Sequence, residues 1–422
     1  MQKAVSPPAV PAYTGPMDTA DVIILGGGLV GLTLATALDA HGLTSIVIDP
    51  ADPAAQLAPG FDGRASAVAS ASWRMLQAIG VADRLDGQGC PIRSIQVSDG
   101  LVGGGLAFDA DPTDGPLGIM FENRRLRTAL RESALAAGGV TVLQPAAAAS
   151  TVRDADGVRV TLTDGRVLSA PLLIAAEGRA SPTREAAGIR IARWRYAHHA
   201  IIGGIYHERP HDGVAHEIFY PAGPFAILPM LDDADGRHRS AIVWTVAERD
   251  GPAMLALPDR AFLAEATKRM GGLLGSIDAN GPRAAYPLGF HHAAHITGRR
   301  LALVGDAAHG IHPIAGQGLN LGFRDVAALV QVLVEGARLG LDFGDAQVLA
   351  RYERWRALDT FLVASTTDGL TRLFGLPGRT AAVVRRFGLA AVQRIPALKD
   401  RFMAEARGES GDLPELLAGR CA

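Results

Sequence analysis

Residues 21–49 read DVIILGGGLVGLTLATALDAHGLTSIVID, and this stretch decides the fold. Residues 21–25 carry the apolar run of a strand, 29–41 the pattern of a helix and 44–48 a second strand, which together make a βαβ unit. The glycines fall as Gly26-x-Gly28-x-x-Gly31 between the first strand and the helix. In that setting they permit a tight turn, close approach of a pyrophosphate and close packing of helix on strand. Asp49 ends the second strand eighteen residues after Gly31, where a carboxylate accepts hydrogen bonds from an adenosine ribose. The uncharged run 22–38 has nearly the length of a membrane span, but Gly26, Gly27, Gly28 and Gly31 punctuate it as strand, turn and helix.

A second segment complements the first. Residues 300–326 read RLALVGDAAHGIHPIAGQGLNLGFRDV. Residues 301–304 suit a central strand, and Gly305-Asp306 puts an acid at its end, able to hold a ribose hydroxyl. Pro313 and the Gly316-Gln317-Gly318 turn lead into a helical pattern with Phe323, Val326, Ala327, Val330, Leu333, Val334 and Ala337 on its apolar positions. A helix N-terminus aimed at a ligand favours negative charge there. A pyridine-nucleotide dehydrogenase has no need of this distant ribose-binding strand, whereas a large, permanently bound flavin uses both segments. Gly103-Gly104-Gly105 lacks the third glycine and the strand-helix frame of a second fingerprint. A nicotinamide cofactor is therefore expected to visit without a domain of its own.

With 422 residues, 48% of them hydrophobic and 20% charged, the chain has the composition of a soluble, interleaved, multi-domain enzyme. A net charge of −2 leaves no footprint for nucleic acid. Cys90 and Cys421 stand alone, which argues against disulfide, zinc and iron–sulfur chemistry and for a reducing, cytoplasmic setting. His291, His292 and His295 cluster, but their spacing fits no zinc helix, so no metal site is expected. Residues 1–20, rich in Pro and Ala, read as a disordered leader in which Met17 is an alternative start.

Three strands, 140–143, 158–162 and 172–175, suit a β-meander crossing the first domain. Residues 198–206, 214–220, 225–231 and 240–246 then form an open antiparallel sheet, covered by a helix over 261–274. A strand over 286–290 leads back to the 300–326 segment. The expected fold is α/β. A Rossmann-like cofactor domain (21–190 and 286–345) is interleaved with an antiparallel-sheet substrate domain (191–285), which 90–115 joins. A helical C-terminal region (346–422) completes the chain.

Taken together, Gly26 to Gly31, Phe61-Asp62-Gly63-Arg64, Glu177-Gly178 with Ser181 and Arg184, and Gly305-Asp306 through Asn320 resemble the ordered motifs of FAD-dependent aromatic hydroxylases of the p-hydroxybenzoate hydroxylase fold. More narrowly, PGFDGRASA at 59–67, Tyr286-Pro287-Leu288 and the run from His312 to Val326 resemble the ubiquinone-biosynthesis hydroxylases. The resemblance implies that Gly26, Gly28, Leu29 and Gly31 line the FAD pyrophosphate and that Asp49 holds the adenosine ribose. It implies that Arg64 contacts the pyrophosphate or the flavin edge, that Asn123 lies near the ribityl chain and that Asp306 binds a ribityl hydroxyl. Pro313, Gly316, Gly318, Leu319 and Asn320 would face the isoalloxazine ring. The family's second fingerprint carries Asp before Gly where this chain has Glu177. For Arg64 a surface role, for Glu177 a solvated loop, and for His309 and His312 structural hydrogen bonding stand as alternatives.

The resemblance further implies a reaction in which NAD(P)H or a ferredoxin-type donor reduces FAD, O2 adds at the flavin C4a and one oxygen passes to an electron-rich carbon of a polyprenylated phenol. Other phenols, or a non-catalytic flavin-binding subunit of a quinone-biosynthesis complex, are the alternatives. The halogenase WxWxIP signature is absent, because Trp73, Trp194, Trp244 and Trp355 stand alone. Phe219, Phe225, Ile227, Leu228, Pro229 and Trp244 are expected to floor the substrate site. Tyr220 or a histidine is a candidate to deprotonate the phenol. At the C-terminus, Val383, Val384, Phe387 and Ala391 share a helical face beside Arg379, Arg385, Arg386 and Arg394. That face suits either peripheral contact with the inner membrane or packing on the cofactor domain.

Overall fold

A computed structural model describes residues 18–101, 105–111, 113–310, 317–357 and 394–421. The amphipathic segment around 379–391, with His312, Pro313, Gly316 and Gly103-Gly104, lies outside them.

The runs VIIL, SIVI, LLIA and LAL contain no polar side chain except Ser45, so strands made from them must be covered on both faces. They form the centre of a six-stranded sheet in the order Thr297–Gly298, Leu301–Leu303, Leu172–Ala175, Val22–Leu25, Ser45–Ile48, Val140–Leu143. All neighbours are parallel except the first pair. The helices Leu29–Asp39, Asn123–Ala136 and Gln317–Arg338 pack beside it, the first touching both others. In the register of this sheet Ala175 is opposite Leu25 and Leu303, and Leu25 is opposite Ile48. Four strands therefore end level, and the residues after each emerge at one carboxyl edge, where open α/β sheets bind ligands.

The expected meander needs correction. Val140–Leu143 and Leu172–Ala175 belong to this parallel sheet, whereas Val158–Leu162 lies in a separate four-stranded sheet with Ala148–Arg153, Val167–Ala170 and Asp18–Thr19. Short runs rich in apolar residues look alike in sequence whichever sheet they join. Asp18–Thr19 pairs in parallel with Val167–Ala170, so the last residues of the expected leader are part of the fold.

The second large sheet has eight strands, ordered His309–Gly310, Ile277–Ala293, Ile191–His207, His238–Ala247, Gly223–Met230, Val214–Tyr220, Ser94–Asp99, Leu106–Asp109. Two of its strands run for 17 residues each, and the expected strands 198–206 and 286–290 are pieces of them. Only Val214–Tyr220 and Ser94–Asp99 pair in parallel. The helix Asp259–Met270 covers one face through Phe262, Ala266 and Met270. The other face looks toward the carboxyl edge of the parallel sheet, with the small sheet Ala65–Ala69, Gly118–Glu122, Cys90–Ile92 alongside.

Candidate active site

At the carboxyl edge the first glycine turn behaves as its spacing requires. Gly26 has φ of 107°, and a Cβ there would lie 2.4 Å from the Ala176 carbonyl oxygen. A Cβ on Gly31 would lie 1.9 Å from the Gly26 carbonyl oxygen. These two are packing glycines. Gly28 differs: it is exposed, a Cβ on it would meet nothing within 4 Å, and it starts a helix that has no side-chain cap. Unpaired N–H groups and the positive end of the helix dipole therefore face open space. Leu29 begins this helix, and Asp49 braces the turn, its Oδ2 accepting from the Gly27 N–H at 2.6 Å and its Oδ1 from the Ala51 N–H at 2.8 Å.

Two further loops close around the same edge. Glu177 is not a solvated loop acid: its Oε2 accepts from the Ser181 hydroxyl at 2.6 Å and the Thr183 N–H at 3.2 Å. Arg184, almost wholly buried, donates to the Arg179 carbonyl at 2.9 Å and the Ala307 carbonyl at 3.0 Å, pinning the two loops together. Asp306 projects from the second loop with its carboxylate 3.3 Å from Arg179 Nε, while its carbonyl oxygen lies 2.8 Å from His291 Nε2. Burial pushes the His291 pKa down, against the opposing pull of that carbonyl. Beneath the loop Asp325, fully buried, accepts from the Gly305 N–H at 2.8 Å. Asp325 also meets Arg356 Nε and His309 Nε2, each at 2.6 Å. His309 is thus a structural partner. Asp325 falls inside the His312 to Val326 run, but the resemblance assigns it no role there, and nothing in the sequence marks Arg356 as its partner.

The strand Ala65–Ala69 forms another wall. Ser66 donates to Asn123 Oδ1 at 2.7 Å, and the Asn320 amide brackets the strand, donating to the Ala67 carbonyl and accepting from the Ala69 N–H, both at 2.9 Å. The side chain of Asn320 therefore serves this strand. Gly318 lies within the Gln317–Arg338 helix and not in the turn before it. Arg64 is bound to Asp62 at 3.0 Å and lines a small cavity of about 280 Å³ with Arg124 and Arg127. Neither of those arginines stands out in the sequence.

A larger cavity, about 610 Å³, lies between the two sheets. One side is made by Ala65, Ser66, Ala67, Asp306, Gly318 and Leu319, the other by sheet residues including Ala200, Ile202, Ala226, Leu228 and Val243. This corrects the expected floor, of which only Leu228 faces the cavity. Phe225, Ile227 and Trp244 sit on the opposite face against the Asp259–Met270 helix, and Phe219 packs in a separate cluster with Cys90 and Phe108. Side chains alternate along a strand, and the bulkiest went to the helix-covered face. Tyr220 is also turned away, its hydroxyl donating to the Arg269 carbonyl at 2.6 Å. On the sheet side Glu217 faces the cavity, and burial pushes its pKa up to about 7.

Residues 19–358 match the FAD binding domain family. The chain is 47% identical over 403 residues to a ubiquinone hydroxylase of Rhodospirillum rubrum, covering 94% of this chain and 93% of that protein. The chain belongs to the ubiquinone-biosynthesis hydroxylase family. A 3-demethoxyubiquinol 3-hydroxylase of Escherichia coli is 34% identical, with 92% of this chain and 98% of the relative covered. Among solved structures, a p-nitrophenol 4-monooxygenase from Pseudomonas putida superposes with a TM-score of 0.75 at 18% identity, covering 96% of this chain and all of that one, which supports the fold.

This ubiquinone-biosynthesis hydroxylase is an FAD-dependent monooxygenase, and the carboxyl edge fits that cofactor. An uncapped helix start with an open Gly28, an acid after the neighbouring strand and a half-buried acid on the facing loop provide N–H donors for phosphates and acceptors for two sets of sugar-type hydroxyls. Among the described residues, no helix is long and apolar enough to cross a membrane.

Proposed function

We propose that this chain hydroxylates the aromatic ring of a polyprenylated phenol in ubiquinone biosynthesis, using FAD, a reduced nicotinamide and O2. The observation that carries the reading is the cavity walled on one side by Asp306 and the Gly318-Leu319 helix start and on the other by an apolar sheet. Its volume is that of a small-molecule site, and the similarity to ubiquinone-pathway hydroxylases spans almost the whole chain.

Within this reading, Gly26, Gly28, Leu29 and Gly31 form the pyrophosphate cradle, Asp49 takes the adenosine ribose and Asp306 a ribityl hydroxyl. Asn123 and Arg64 flank the cofactor, and Gly318 and Leu319 face its ring, with Asn320 holding the strand beside it. Bound FAD supplies electron storage and dioxygen activation. The chain's own part is to hold the phenol against the ring, to place the positive end of the Gln317–Arg338 helix where negative charge develops, and to keep water out with Ala200, Ile202, Leu228 and Val243. The lipid tail of such a substrate also favours work at the inner-membrane surface within a quinone-biosynthesis complex. The test is incubation of the FAD-loaded protein with NADH or NADPH, air and a set of prenylated phenols. Mass analysis should show gain of one oxygen atom. Reductant oxidation that yields only hydrogen peroxide with every phenol would refute the assignment.

A further inference from the structure

Glu217 sits in the middle of the Val214–Tyr220 strand, a position where an acid costs stability unless it has work to do. It is only 8% exposed. Its register partners are Ala226 on one side and Val97 on the other, and Ala226 lines the cavity, so the carboxylate points to the same side. Among the described residues no group donates a hydrogen bond to it and no ion pair reaches it. Burial is the cause of its raised pKa. The strands beside it present Val97, Ala226, Leu228, Val243 and Thr245, and the titratable side chain on the adjoining strand's same face is Asp99, two residues beyond Val97 and paired in register with Phe219. The other titratable groups lining the cavity are Arg179, Asp306 and Tyr286, and the first two pair with each other.

We propose that Glu217 is the catalytic base of the hydroxylation: its carboxylate accepts the hydrogen bond of the substrate's phenolic O–H and takes that proton as oxygen is transferred. The inference rests on the phenol-hydroxylase reading. The O–H bond breaks, the proton moves to a Glu217 carboxylate oxygen and the electron pair stays on the phenolic oxygen, which enriches the ring carbons ortho and para to it. When the hydroxylated ring rearomatises, Glu217 returns the proton to that oxygen and the proton of the hydroxylated carbon leaves to solvent. An ordinary carboxylate is far too weak a base for a phenol titrating near 10. One raised to about 7 narrows the gap while remaining about half ionised at neutral pH. A strand position also holds the base more rigidly than a loop would.

The test uses the FAD-loaded full chain with Glu217→Gln, and Glu217→Leu as a second variant of similar size should the first lose its flavin. Two readouts are taken with a phenol bearing a two-isoprene tail. In turnover, kcat/KM of the wild type should rise through a midpoint near pH 7. Glu217→Gln should fall about a hundredfold or more and lose that limb. In binding, monitored by the flavin spectrum without reductant, the wild type should prefer the phenol over its O-methyl ether by about tenfold or more, because the ether cannot donate to the carboxylate. Glu217→Leu should lose the preference. An unchanged preference overturns the proposal whether or not turnover occurs, and so does turnover with an unchanged rate and pH limb. Loss of the preference in a chain that hydroxylates no phenol would instead refute the hydroxylase reading and leave the Glu217 contact standing.

Discussion

Asp325→Ala removes one carboxylate that three partners share: the Gly305 N–H at 2.8 Å, Arg356 Nε at 2.6 Å and His309 Nε2 at 2.6 Å. Asp325 has no solvent exposure and Arg356 has 2%, so water cannot take over. Breaking a buried pair by deleting one partner costs about 3–5 kcal/mol, because the remaining charge is left uncompensated. The Gly305 amide loses its anchor as well, and Asp306 follows it, so FAD retention should weaken together with stability. The assay is urea unfolding followed by tryptophan fluorescence and flavin release. A loss under about 1 kcal/mol with full flavin occupancy would refute the reasoning, since it would place the triad among ion pairs that contribute little. Asp325→Leu with Arg356→Met should recover part of the loss. The pH dependence follows from the balance at Asp325: burial alone would raise its pKa, but His309 and Arg356 outweigh burial and hold it below the ordinary 3.8. Its contribution is therefore complete above 3.8 and lost only as pH falls below that through the lower folded value.

Four other variants have expected outcomes. Gly28→Ala adds a methyl to open space and should change apo-protein stability by under about 0.5 kcal/mol while weakening FAD binding about tenfold or more. Gly31→Ala, which presses on the Gly26 carbonyl, should instead destabilise the fold by about 1–3 kcal/mol; chemical denaturation and flavin titration separate the two, and equal effects would contradict the pyrophosphate cradle. Asp306→Ala should lower FAD occupancy after gel filtration, and full occupancy with normal activity would defeat its ribityl role. Tyr220→Phe should cost about 1 kcal/mol through the lost bond to the Arg269 carbonyl and leave the pH profile of hydroxylation unmoved; a shifted profile would reinstate Tyr220 as a proton-transfer group.

The local chemistry of the cofactor edge was legible in the sequence because each signal sits within a few residues. The strand, glycine turn, helix and acid of 21–49 and the strand, acid and helix of 300–326 are short-range patterns with one physical solution. Sheet membership was less legible, since 140–143 and 158–162 look alike as apolar strands and only register assigns them to different sheets.

The sequence alone thus marked two strand ends, each with a glycine turn and an acid suited to a dinucleotide-type cofactor, and the family resemblance it carries pointed to flavin hydroxylation. Only the tertiary structure decided which face of the antiparallel sheet looks at that cofactor edge. Hydrophobicity could not, because both faces are buried and side chains alternate with a period of two. The large residues Phe225, Ile227 and Trp244 filled the helix-covered side, and the small ones left a cavity on the other. Glu217 and Asp325 acquire their meaning the same way. Each is an ordinary acid in the chain until partners from distant segments, or the absence of any, surround it in a medium that cannot solvate charge.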